Sequence, residues 1–335
     1  MISMPIMLPV AGTRKPGPAG PGRAADRGMH GMAAGVSCGM VRYPDHTRPP
    51  VPMTDEQKFF FDLRGWLVLP AVLSDAELEA MRAECYAGVD RLAERAGGVK
   101  DGHSGVLQTL LDHPAVAGVL AEILSEEPYD LDECYGFRCE DSHVIMRPPG
   151  WRKTRRGDQG MPHVVRPPQM ANAMRYQVAG NRIFSGLTRV VWELEEVREG
   201  QGGTSFLSGS HKAHFGYGGR DRFASDAGGS PWLERIHDAM DTYGCPAGSV
   251  VIFTESLLHA ANDWTNPDNG RCAIFQCYNS LWAQWHRPNV THEQVEAMPP
   301  KRRTLFRGVW QLGGNTAYSA DNRTLMRPSP HVPTG

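Results

Sequence analysis

Residues 248–271, GSVVIFTESLLHAANDWTNPDNGR, decide how this chain is read. Val250–Phe253 is a short β-branched and aromatic run entered from a glycine. A polar turn follows, then a second apolar run, Leu257–Ala260, with His259 inside it. Asn, Pro, Asp and Gly mark another turn before Arg271 opens a third run, RCAIFQCY. Runs this short, separated by such turn residues, read as consecutive strands rather than helices.

The same grammar extends upstream. From Tyr135 onward, short apolar runs are split by Gly, Pro, Asn and Asp. They fall at Tyr135–Phe137, His143–Met146, Arg175–Val178, Gly186–Glu193 and Thr204–Leu207, and continue with Ser249–Phe253, Leu257–Ala260 and Arg271–Tyr278. Strands of this number and length predict a sandwich or jelly roll. Phe215 to Tyr243 interrupts the series, with a helical pattern around Ser230 to Met240, and a short helix is expected near Thr291 to Ala297. No internal repeat is visible.

Helices are expected before the strands. Thr54 with Gln57, and Ser74 with Glu77, have the spacing of capping boxes, in which each partner satisfies a backbone N–H of the other. After Ser74, apolar residues at 78, 81, 85, 89 and 92 keep a helical period. A further helix is predicted over Pro114 to Leu124, and a strand over Trp66 to Leu69. The fold class is therefore mainly β with flanking helices. Residues 1–52 are rich in Pro, Gly, Ala and Arg without a sustained period and are expected to be a disordered leader. Residues 53–310 form the predicted domain and 311–335 a polar tail.

Composition narrows the class. The 335 residues carry a formal charge of −2, which supplies no electrostatic attraction for nucleic acid or an anionic membrane. No apolar run is long enough for a membrane span. The seven cysteines are odd in number, scattered and without a CxxC pair. That usage suits reduced, buried thiols and a cytoplasmic protein. The expected partner is a small-molecule substrate, and nothing in the sequence addresses the oligomeric state.

Two segments carry chemistry. His259, in a strand–turn–strand setting, is placed to ligate a metal, although a lone histidine on an apolar strand can also be a core residue. Arg271, opening the next strand, either points into the core or snorkels to solvent. A buried guanidinium needs an anionic partner and forks well onto a carboxylate. Gly202 to Lys212, GGTSFLSGSHK, is a glycine-shaped turn pair in which His211 is read as a loop cap rather than a ligand. The tryptophans Trp264, Trp282 and Trp285 receive no role.

Together these two segments resemble the phytanoyl-CoA dioxygenase-like family of iron(II)/2-oxoglutarate oxygenases, with the resemblance running from about Thr54 to Arg307. It implies a double-stranded β-helix (jelly roll, cupin-like) and Fe(II) and 2-oxoglutarate as cofactors. It implies hydroxylation of a small or medium-sized organic substrate, with Arg271 anchoring 2-oxoglutarate and His259 as the second metal histidine. The first metal histidine is expected at His163, or next at His143. Thr188 is a candidate hydrogen-bond donor to the 2-oxoglutarate carboxylate, or a packing residue. The family's His-x-Asp is absent, since Val164 and Val165 follow His163. The third ligand is then Glu255, in a branch of the family in which FTE-x-x-x-H recurs, or more distantly Asp158. Otherwise the position is vacant, as in related halogenases, or the site is degenerate and the protein a non-catalytic binding module.

Overall fold

The computed structural model describes Tyr43, His46 and residues 48–87, 99–125, 132–152, 175–213, 235–236, 238–286 and 288–309. His163, Asp158 and most of the Phe215–Tyr243 insertion lie outside the described residues.

Helix α1 (Asp55–Arg64) begins at the predicted capping box: Gln57 N donates to Thr54 Oγ1 at 3.1 Å and Thr54 N to Gln57 Oε1 at 2.9 Å. It ends at Gly65, whose φ of 83° is left-handed. A Cβ there would lie 2.6 Å from Nδ1 of His211, so the turn needs glycine twice over. Strand β1 (Trp66–Leu69) follows, then α2 (Asp75–Tyr86), again opened by its Ser74/Glu77 box. Helix α3 (Pro114–Leu124) is apolar apart from Glu122, and Val116, Val119, Leu120 and Ile123 are buried. Each such side chain contributes roughly 1.5–3 kcal/mol. Packing begins before the predicted start of order. Val51 N donates to Pro114 O, and a Cβ on Gly118 would strike the Val51 carbonyl, so residues around Val51 lie directly on α3.

The main sheet is antiparallel, in the order β1–β8–β6–β10–β3–β2. Its other strands are β2 (Val99–Asp101), β3 (Phe137–Arg147), β6 (Thr188–Glu193), β8 (Ser249–Thr254) and β10 (Arg271–Ser280). A second antiparallel pair, β7 (Thr204–Phe206) with β9 (His259–Ala261), packs across from it through Phe206, which contacts Phe253 with ring centroids 5.0 Å apart. The two facing sheets are the jelly roll expected from the strand pattern. Strands β4 (Gln177–Ala179) and β5 (Arg182–Phe184) form a separate hairpin turned by Gly180 and Asn181, where one strand was expected.

Strand β3 is one long strand rather than the two short ones predicted. Its polar centre looks like a break in the sequence, yet Arg138, Glu140 and Ser142 are fully buried with hydrogen-bond partners. A register shift opposite Cys277 and Tyr278 absorbs the irregularity.

Side-chain alternation divides the main sheet. Val190, Trp192, Val250, Ile252, Ile274 and Tyr278 face the helices and form the larger core. Trp192 Nε1 donates to Gln276 Oε1 at 3.0 Å, satisfying its polar edge. The opposite face carries Val191, Val251, Phe253 and Ala273 toward β7 and β9. That second face also carries most of the charged residues of the sheet. Helices α4 (His292–Ala297) and α5 (Pro300–Arg303) close the described chain, α4 capped by Thr291 near its predicted place.

Candidate metal and co-substrate site

A cavity of about 320 Å³ lies between the two sheets. Ile145, Leu187, Phe253, Phe275 and Trp285 supply apolar wall, and His143, Arg147, Arg189, Glu255, His259 and Arg271 supply polar groups. The strand period explains the set. His143, Ile145 and Arg147 alternate on β3, and Arg271, Ala273 and Phe275 on β10, all toward the cavity.

The turn after β8 places two of the predicted ligands together. Glu255 N donates to Leu187 O at 2.8 Å, Leu257 N to Thr254 O at 3.0 Å and Leu258 N to Ser210 Oγ at 2.8 Å. Thus the turn is tied to the residue that precedes β6 and to the loop that contains His211. His259 then opens β9, paired with Phe206. Its Nδ1 lies 2.8 Å from Leu257 O. A carbonyl only accepts, so Nδ1 carries the proton and Nε2 presents its lone pair. Nε2 lies 3.5 Å from Glu255 Oε2. The other Glu255 oxygen accepts from Arg189 Nε at 2.8 Å.

This pair fits a first-row metal. Bonds of about 2.0–2.2 Å to an imidazole nitrogen and a carboxylate oxygen at near-right angles bring the two atoms to roughly 3 Å. Only a small adjustment from the present spacing is needed, and the exposed tautomer is the ligating one. His143 has the same preparation, with Nδ1 2.8 Å from Asp141 Oδ2, the carboxylate–imidazole arrangement that orients metal-bound histidines. It lies on the same cavity wall, stacked on Phe275 at 5.7 Å. Among the described residues no three His, Cys, Asp or Glu side chains converge on one point, and His163 is not among them.

Arg189 links the acids. Besides Glu255, its Nη1 lies 3.5 Å from Asp141 Oδ2. Burial opposes its charge, but the acidic groups around it prevail and hold it above the usual arginine range. Arg189 therefore fixes Glu255 and, through Asp141, the ring of His143.

Arg271 does point inward, with 1 % of its side chain exposed. The partner it was expected to find in a co-substrate is instead already present in the chain. Arg271 Nε donates to Glu193 Oε2 at 3.1 Å, and its Nη2 forms a second, shorter bond to Oε1. Tyr243 donates to Glu193 Oε1 at 2.7 Å, and burial beside that carboxylate raises its hydroxyl well above its ordinary pKa. The sequence reading missed Glu193, Arg189, Asp141 and Arg147. Their signal was charge at alternate positions within apolar strands, as in Arg189–Val191–Glu193.

Thr188 is a correction. It shares the helix-facing side of β6 with Val190 and Trp192, and its hydroxyl lies 2.8 Å from Ser185 Oγ and 2.9 Å from Gly186 O. Alternation puts Arg189, not Thr188, toward the cavity. His211 is buried with Nε2 3.0 Å from Asp62 O, an architectural contact between the loop and α1, as read from the sequence. Trp264 is a core residue whose Nε1 donates to Asn269 O at 2.7 Å, whereas Trp285 lines the cavity.

HygX from Streptomyces hygroscopicus, solved with nickel and 2-oxoglutarate bound, superimposes with a TM-score of 0.50 at 15% identity, covering 72% of this chain and 91% of that one. EctD from S. alaskensis, solved with 2-oxoglutarate and 5-hydroxyectoine, gives a TM-score of 0.47 at 15% identity, covering 73% and 82%. A comparison with curated protein sequences gives no match. The family profile described as phytanoyl-CoA dioxygenase (PhyH) matches residues 61–272, which takes in β1 through the start of β10. The chain belongs to the phytanoyl-CoA dioxygenase family.

Proposed function

We propose that this protein is an iron(II)- and 2-oxoglutarate-dependent oxygenase that hydroxylates a small or medium-sized organic substrate. The observation that carries this reading is the pairing of Glu255 with His259 Nε2 at the wall of an inter-sheet cavity, in a chain of this family. Bound iron and 2-oxoglutarate would supply oxidation of a substrate C–H bond, coupled to decarboxylation of the co-substrate to succinate. HygX, solved with nickel and 2-oxoglutarate, shares the general fold and is consistent with that cofactor choice.

In this reading the metal ligands are His259, Glu255 and His163, with His143 as the alternative first histidine. Leu257 O fixes the His259 tautomer, and Arg189 bonds one Glu255 oxygen and so orients the other toward the metal position. Arg271 contributes to holding the co-substrate carboxylate. Phe253, Phe275, Ile145 and Leu187 exclude water and leave an apolar volume, at the lower end of the range for small-molecule sites.

The test is anaerobic reconstitution with iron(II), followed by measurement of succinate formed from 2-oxoglutarate on admission of oxygen. Iron-dependent succinate release is the expected result. Its absence, with iron stoichiometrically bound, would contradict the reading.

A further inference from the structure

Arg147 and Arg271 are directly opposed across the β3–β10 ladder, and both line the cavity. Like charges at directly opposed positions of an antiparallel pair repel, and burial makes this costlier. Glu193 is the carboxylate that bonds to the pair among the described residues, and both of its oxygens are engaged by Arg271. Arg147 spends Nη1 on the carbonyl of Asn262 at 2.8 Å, and its guanidinium lies 4.5 Å from the centre of the Trp151 ring. Among the described residues, no carboxylate is within ion-pair distance of Arg147. Arg271 is thus ion-paired, and Arg147 is without an ion-paired carboxylate among the described residues.

Burial, and then Arg271, hold Arg147 down to about 10, while Glu193, Asp263 and Tyr243 act in the opposite direction. Arg147 thus stays charged at neutral pH, at a site where it is only 7 % exposed. An anion placed between Arg147 and Arg271 would relieve both the repulsion and the desolvation. A planar carboxylate suits the open nitrogens of the Arg147 fork.

We infer that Arg147 is a carboxylate-recognising residue of this cavity and holds the distal carboxylate of the 2-oxo acid jointly with Arg271. Glu193 sets this division of labour: it pairs with and orients Arg271, so the guanidinium left without an ion pair among the described residues, and able to take the co-substrate carboxylate, is that of Arg147. The inference rests on the proposed function, because it takes the anion to be 2-oxoglutarate. It assigns dicarboxylate selectivity to β3, a strand distant in sequence from the His259–Arg271 segment.

The test is direct binding, without turnover. The iron(II)-loaded full-length protein is dialysed anaerobically against radiolabelled 2-oxoglutarate, and separately against 2-oxobutyrate, which lacks the distal carboxylate. The wild type is expected to prefer 2-oxoglutarate. Arg147→Gln should weaken 2-oxoglutarate binding by roughly tenfold or more, the loss of a charge-assisted pair, and leave 2-oxobutyrate unchanged. Arg147→Lys keeps the charge and serves if the Gln variant does not fold. It should lose about threefold or more through loss of the fork. Wild-type affinity for 2-oxoglutarate in the folded Gln variant, or in the Lys variant, would overturn the role of Arg147 and leave the proposed function standing. Failure of the wild-type protein to bind either 2-oxo acid would overturn both.

Discussion

Arg271 and Glu193 form a two-pronged ion pair on the cavity side of the sheet, with side-chain exposures of 1 % and 0 %. The pair joins β6 to β10 and takes Tyr243 as a third member. Its members carry both stability and the charge balance of the site.

Removing one partner of such a pair leaves an uncompensated buried charge. Glu193→Ala should therefore destabilise the fold by roughly 3–5 kcal/mol, measured by denaturant unfolding. A change under about 1 kcal/mol would show that Arg271 finds equivalent solvation without Glu193.

Arg271→Lys keeps the charge and loses the fork. Folding stability and 2-oxoglutarate affinity should each fall, the latter by roughly 1–3 kcal/mol in a calorimetric titration of the metal-loaded protein. Reduced stability with unaltered affinity would confine Arg271 to the structural ion pair.

Gly65→Ala should cost roughly 1–3 kcal/mol. The backbone is left-handed at this position, and the added Cβ would meet the His211 ring that joins α1 to the Gly202–Lys212 loop. A thermal midpoint equal to that of the wild type would show that the loop yields without loss.

His113 caps α3, its Nδ1 accepting from Ala115 N at 3.3 Å. Burial, and then His46, push its pKa down to about 4, with Arg48 acting in the same direction and Glu77 against them. A group whose folded pKa is depressed stabilises the fold above its unfolded value and ceases to do so as pH falls toward the folded one. Stability should decline between pH 6.5 and about 4, and His113→Asn, which retains a capping acceptor, should flatten that part of the profile. An identical slope in the variant would assign the decline to other groups.

Much of the architecture was legible because it rests on local rules. The Thr54 and Ser74 boxes, the proline-initiated α3 and the runs around Val250 and Ile274 follow from capping and periodicity. Strand β3 was harder to read, because Arg138, Glu140 and Ser142 resemble a polar turn until their distant partners, such as Arg307 O, Trp285 N and Gly102 O, are known. The site shows the same division. His259 and Glu255 share one turn and were visible together. Glu193 and Arg147 acquire meaning only through the register of β3, β6 and β10, which no local pattern encodes. Thr188 was misassigned for a related reason: alternation was recognised on its strand, but which face met the cavity was not.

In the proposed site Glu255 and His259 hold iron together. This pairing is tested most directly by iron stoichiometry after anaerobic loading and desalting, comparing the wild type with Glu255→Gln and His259→Ala. One iron per chain is expected in the wild type, none retained by His259→Ala, and weakened retention by Glu255→Gln, with all three proteins folded. Full iron retention by His259→Ala would contradict it.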